Sequence, residues 1–218
     1  DHPDVIGDIA DYDIEVEWYD KHVGEAVDHL KNNNLLENTI IIVTSDHGMP
    51  FPRVKGQIYE ESFSVPLIVV WKNKIKSGRT VTDFVTFPDI APTLLDITGI
   101  PIIDQMTGKS FKEQLLTDKN GRIDPGRNHT LLGKERHDIG RVEGDKLSVS
   151  YPVRAIRTDQ YLYVKNFIPS RWPVGNPEYG LLNCDNSPTK SHLINLKDDK
   201  KKGDYYNMNF GKRPEEEL

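Results

Sequence analysis

Thr39-Ile40-Ile41-Ile42-Val43-Thr44-Ser45-Asp46-His47-Gly48 is the stretch on which the reading of this chain turns. Four consecutive β-branched residues, Ile40 to Val43, read as a strand covered on both faces, as in a parallel α/β sheet. Such sheets bind ligands beyond the carboxyl ends of their strands, where Asp46 and His47 stand. An aspartate offers a hard oxygen and a histidine a neutral ring nitrogen, so the two side by side supply two kinds of metal ligand. Gly48 lets the backbone turn sharply beside them. By spacing alone, the same residues also fit an Asp-capped turn followed by a surface histidine.

Working outward, Val16, Tyr19, Val23, Val27 and Leu30 recur at spacings of three and four, which predicts an amphipathic helix over Asp13 to Leu36, stopped by Asn32-Asn33-Asn34. After the turn comes a Pro-containing loop, Met49 to Gly56, of the kind that carries function after a buried strand. Val65 to Trp71 reads as a second buried strand, and Pro88 to Thr98 as a helix with Gly99 just past its end. This order favours an α/β layer. The turn-rich stretch after Thr117 marks a subdomain boundary, giving 1–117 as the main α/β portion and 118–218 as a smaller α+β subdomain. In the latter, Pro152–Arg157 and Tyr161–Lys165 form an antiparallel hairpin, and the remainder reads as loop.

Composition narrows the function classes. The chain has 218 residues, 28% of them charged and 36% hydrophobic, with a net charge of -6. No run approaches the roughly 20 apolar residues of a helical membrane span, and no basic stripe marks a nucleic-acid binder. Lys200-Lys201-Lys202 reads as a solvated loop. Cys184 is the single cysteine, so neither an internal disulfide nor a cysteine zinc cage can form. The chain opens at Asp1 without methionine, and an upstream segment is expected.

Taken in order, the helix, Thr-Ser-Asp-His-Gly, a loop lysine, Tyr59-Glu60-Glu61-Ser62, Val65-Pro66-Leu67-Ile68-Val69 and Phe87-Pro88-Asp89-Ile90-Ala91-Pro92-Thr93 resemble the C-terminal half of the sulfatase family. This implies the C-terminal part of an alkaline-phosphatase-like α/β sandwich with a smaller antiparallel subdomain. Within the family, Asp46 to Pro52 and Ser150-Tyr151-Pro152-Val153-Arg154 are most similar to the heparan N-sulfatases and their bacterial relatives. The resemblance implies hydrolysis of sulfate esters or sulfamates, on the N-sulfate of glucosamine in heparan-type glycosaminoglycans. Phosphate or phosphonate ester hydrolysis and a non-catalytic binding module are the alternatives.

The resemblance also implies the site. Asp46 and His47 match the second ligand pair for a divalent cation, calcium in most members, with magnesium or manganese as alternatives. Lys55 matches the catalytic loop cation that contacts the sulfate. Arg136 and His137 match a stretch leading toward the substrate pocket and are candidates for binding a sulfated saccharide, although Glu135 could equally pair with Arg136. The resemblance places the nucleophile, a formylglycine made within Cys/Ser-x-Pro-x-Arg, in the family's N-terminal half, outside these residues. Cys184 lacks that context, and the first acidic metal pair is also missing. The chain is therefore expected to be a C-terminal fragment, inactive alone. Family habit places bacterial members in the periplasm or outside the cell and animal N-sulfatases in lysosomes.

Overall fold

The computed structural model describes residues 2–136 and 140–218. Helix α1 runs Pro3–Asn32, starting ten residues earlier than the apolar stripe predicts. His2 caps it through Nδ1, which accepts from the Asp4 N–H, and Pro3 brings a backbone preset for the first turn. The stripe is covered only toward its end. Val23, Val27 and Leu30 are half-buried, whereas Val16 and Tyr19 are about half exposed.

Strand β1 (Ile40–Thr44) pairs antiparallel with β2 (Leu67–Trp71), in a register running from Ile40 opposite Trp71 to Thr44 opposite Leu67. This corrects the expectation of strands buried on both faces in a parallel sheet. Every residue of β1 is half-buried, and Ile68 and Val70 of β2 are exposed. The physical reason is local: among the described residues this sheet has two strands, so neither has a neighbour on its far edge and one face lacks a covering layer. Residues 45–66, the excursion joining the two strands, carry the candidate site and a short helix α2 (Glu60–Phe63). Helix α3 (Ile90–Thr98) ends as its sequence predicts, with Gly99 left-handed at φ +73°. Helix α4 (Lys112–Leu116) follows.

The second half is built on a four-stranded antiparallel sheet in the order β3 (His129–Lys134), β6 (Val153–Thr158), β7 (Leu162–Asn166), β8 (Glu216–Glu217). Strands β6 and β7 are the expected hairpin. A small ribbon of β4 (Val142–Glu143) and β5 (Lys146–Leu147) sits between β3 and β6 in the chain. One core gathers Tyr151, Val153, Ala155 and Val164 of this half with Ile58 of the site loop. A second core joins Val174, Leu181, Cys184, Tyr206 and Phe210. It is closed by α5 (Pro188–Asn195) and α6 (Gly203–Phe210), two helices in a region that reads as loop. Each is only two turns long with a weak stripe, so burial of Tyr206 and Phe210, more than helix propensity, holds them.

A buried ion pair ties the halves together. Arg127, just before β3, donates to Asp89 Oδ2 at 2.9 Å and to the carbonyls of Phe84, Lys109 and Ser110. Burial opposes the Asp89 charge, but the Lys109 and Thr86 N–H groups and the Arg127 guanidinium outweigh it and hold the carboxyl below its usual range. Removing one partner strands the other. Arg127→Met is expected to destabilise by about 3 kcal/mol in urea denaturation. Because the Asp89 value is depressed, its contribution is complete above pH 4 and fades as pH falls further, so the urea midpoint should drop between pH 4 and pH 2.5, and less so in Asp89→Asn.

Candidate active site

The Asp-His-Gly turn leaves β1 beside the start of β2 and is held by backbone contacts. The Gly48 N–H donates to Ser62 O at 3.0 Å, and the Ser45 hydroxyl to His47 O at 2.7 Å. A Cβ at residue 48 would lie 1.7 Å from Glu61 O and 2.8 Å from Val54 Cγ1, so no other residue fits. His47 Nδ1 lies 2.6 Å from Gly48 O. A carbonyl can only accept, so Nδ1 carries a proton, and Nε2 is the nitrogen left with a lone pair in the neutral ring. That Nε2 is 3.6 Å from Asp46 Oδ1, and the Asp46 side chain is 87% exposed. An accessible carboxylate beside the ε nitrogen of a neutral imidazole is a donor set that fits a divalent cation. Among the described residues no third His, Cys, Asp or Glu joins them. Asp46 also opens on a groove of about 1160 Å³ shared with Thr44, Glu60, Ser62 and Arg157.

The loop that follows is clamped along its length by the second half of the chain. Arg53, left-handed at φ +69°, stacks its guanidinium over Tyr59 at 3.9 Å and donates to Met208 O. Val54 is buried near Gly48. Lys55 Nζ donates to Asp185 Oδ2 at 2.8 Å. Lys134 Nζ donates to Gly56 O and Gln57 Oε1. Ile58 enters the sheet core, and the Tyr59 hydroxyl reaches Glu217. Lys55 thus leaves the loop one residue past the point that touches the Asp-His-Gly turn.

Sequence reasoning gave no role to Asp185, or to Lys134 although it lies in the same stretch as Arg136 and His137, because both act across more than 75 residues. Lys134 is an ammonium held by neutral acceptors. Burial, with Arg141 and Arg213 nearby, lowers its pKa to about 7. Of the two candidate substrate residues, Arg136 is exposed just beyond β3 and donates to Ser148 Oγ, while Glu135 pairs with Arg154 and not with Arg136. His137 lies outside the described residues. Arg171 pairs with Glu143, and Trp172 packs under Lys212 while its carbonyl accepts from Arg141. Cys184 is buried, which pushes its thiol up to about 11 and removes it as a nucleophile.

A second group of potential ligands, His2, Asp4 and His192, brings ligand atoms within 4.8 Å of one another. Its two imidazoles are stacked at 3.6 Å with planes 19° apart. In-plane lone pairs of stacked rings run side by side and do not converge on one ion.

Two outcomes test the loop and turn. Gly48→Ala should cost about 3 kcal/mol in urea denaturation, since Glu61 O is backbone and cannot swing aside. For Lys134, the unfolded chain holds the proton up to about 10.5 and the folded chain only to about 7, so stability rises with pH between those values. The gain from pH 7 to pH 9 is about 1 to 2 kcal/mol. Lys134→Met should flatten that rise.

Residues 4–100 match the sulfatase family. An ulvan-active sulfatase from Formosa agariphila is 32% identical over 201 residues, which cover 91% of this chain and 30% of that protein. An N-acetylglucosamine-6-O-sulfatase from Bacteroides thetaiotaomicron is 34% identical over 111 residues, covering 49% of this chain and 20% of that protein. In fold, the chain is similar to a protein solved with its substrate D-glucosamine-2-N,6-O-disulfate, at a TM-score of 0.53 and 19% identity over 89% of this chain and 40% of that one. The chain therefore spans 20 to 30% of these two sequence relatives, with an alkaline-phosphatase-like α/β architecture. Asp46, His47 and Lys55 all fall inside the matched segment, and the chain belongs to the sulfatase family.

Proposed function

We propose that this chain supplies the cationic half of the active site of a hydrolase of sulfate esters or sulfamates, acting on N-sulfated glucosamine in heparan-type saccharides. The observation that carries the reading is the Asp-His-Gly turn, where the proton fixed on His47 Nδ1 leaves Nε2 and the exposed Asp46 carboxylate side by side. Asp46 and His47 would hold two coordination positions of a divalent cation, calcium by family habit, with the other ligands contributed from outside these residues. When bound, that ion supplies positive charge against a sulfate oxygen.

Lys55 supplies the second positive charge. Its ammonium donates to a sulfate oxygen and balances the negative charge that grows as the S–O or S–N bond breaks. The nucleophile comes from a Cys/Ser-x-Pro-x-Arg segment of the other half; the literal match here, Ser150-Tyr151-Pro152-Val153-Arg154, runs into β6 with Tyr151 and Val153 buried in the sheet core. Two of the relatives are named for activity toward sulfated saccharides, ulvan and N-acetylglucosamine-6-O-sulfate, which supports the substrate class. The N-sulfate assignment rests on the stretches Asp46 to Pro52 and Ser150 to Arg154.

The 218-residue chain alone should show no turnover of 4-nitrophenyl sulfate or N-sulfoglucosamine. In a protein carrying both halves, Lys55→Ala should lower kcat/KM by about 100-fold with an unchanged melting temperature. Asp46→Asn should weaken calcium binding by at least about tenfold in calorimetric titration. Full activity of Lys55→Ala, or preference for an aryl phosphate over the sulfate, overturns the reading.

A further inference from the structure

We propose that Asp185 is the positioning residue of Lys55, holding the ammonium where the sulfate contact requires it; the inference rests on the role given to Lys55 above. Among the described residues, Asp185 is the carboxylate that reaches Lys55, at 2.8 Å and across 130 positions of sequence. A lysine has four rotatable methylenes and about 2 kcal/mol of rotamer entropy to lose on being fixed. One charged hydrogen bond fixes the nitrogen and leaves its other two protons for an oxyanion. The pair suits this use because it is not sealed. The side chains remain 28% and 42% exposed, so a bound sulfate can reach the ammonium without breaking the contact to Asp185.

Asp185 is itself built into place. Lys190, in the first turn of α5, is only 3% exposed, and its Nζ donates to Leu181 O, Cys184 O and Asn186 Oδ1. Those three acceptors use all three ammonium protons and bracket Asp185 on both sides. Burying an ammonium is costly unless each proton is satisfied, and here the satisfied charge organises the 181–186 loop. Leu181 enters that loop left-handed, at φ +54°, with its side chain in the core. Ser187 caps α5 by accepting from the Lys190 N–H, and the Thr189 N–H donates to Asp8 Oδ2 of α1 at 2.7 Å. From α1 through α5 and Lys190, the loop carries Asp185 to Lys55. None of these contacts needs an aspartate at 185, because Lys190 holds backbone carbonyls and a neighbouring side chain. The carboxylate is the one part of the loop turned to Lys55.

The test is a double-mutant cycle in a protein carrying both halves of the site, read as kcat/KM on 4-nitrophenyl sulfate with melting temperatures measured alongside. Asp185→Asn should lower kcat/KM about tenfold where Lys55 is present and less than about twofold in the Lys55→Ala background. Asp185→Glu, which keeps the charge, should recover activity to within about threefold of the unsubstituted enzyme. All melting temperatures should agree within about 2 °C, since a half-exposed ion pair adds little stability. Equal losses in both backgrounds, or failure of Asp185→Glu to recover more than Asp185→Asn, overturns the assignment. Absence of turnover by the unsubstituted protein, or full activity of Lys55→Ala, removes instead the role of Lys55 on which it stands.

Discussion

The loop Arg53–Tyr59 has no regular structure of its own, and the candidate site depends on the contacts that hold it. Arg53, Lys55, Gly56, Gln57, Ile58 and Tyr59 each meet a partner in the second half of the chain. Val54 instead lies against the Asp-His-Gly turn. A loop of this kind loses conformational entropy at every residue it orders, and dispersed tertiary contacts offset that loss. The antiparallel sheet and its helices thus form the mould in which Lys55 is set.

Lysine and arginine side chains that are buried or half-buried do much of this holding. Lys134 gathers the backbone and side chain of the loop at Gly56 and Gln57, Lys190 gathers the turn that bears Asp185, and Arg127 gathers the carbonyls of residues 84, 109 and 110. Arg141, 1% exposed, donates to the carbonyls of Trp172 and Pro173. A carbonyl in an irregular segment needs a donor once it is buried, and a lysine or arginine supplies several from one side chain. Arg127 is matched by the buried carboxylate of Asp89, whereas Lys134 and Lys190 hold neutral acceptors. For Lys134 the consequence is a weakened hold on its proton near neutral pH.

Much of the candidate site was legible because its residues are close together in the chain. Asp46, His47 and Gly48 are consecutive, and an apolar strand followed by a polar turn is a local pattern. Lys55 falls in the loop expected to carry it. The proton position on His47 was not legible, since it depends on where the Gly48 carbonyl points. Nor was the need for glycine at 48, which comes from Glu61 and Val54 and not from an unusual backbone angle. Strand pairing escaped for the same reason: four β-branched residues announce a strand, but whether its neighbour runs parallel or antiparallel depends on a segment more than twenty positions away. Helices α5 and α6 were hidden because their stripes are short, and their burial is visible only once Val174, Leu181 and Cys184 have folded onto them.

The sequence by itself determined the family, the consecutive Asp46-His47 pair proposed as metal ligands, the loop lysine, the β6–β7 hairpin and the left-handed end of α3, all patterns written within a few residues. Tertiary structure alone decided that β1 and β2 pair antiparallel, that Lys190 is a buried cation and Lys134 a half-buried one, and that Lys55 meets Asp185. The two strands lie more than twenty positions apart, Lys134 and Lys55 reach partners 77 or more positions away, and Lys190, whose partners are close, owes its burial to the second core. Local spacing carries information about local geometry, while charge placement in a folded chain is set by what surrounds it.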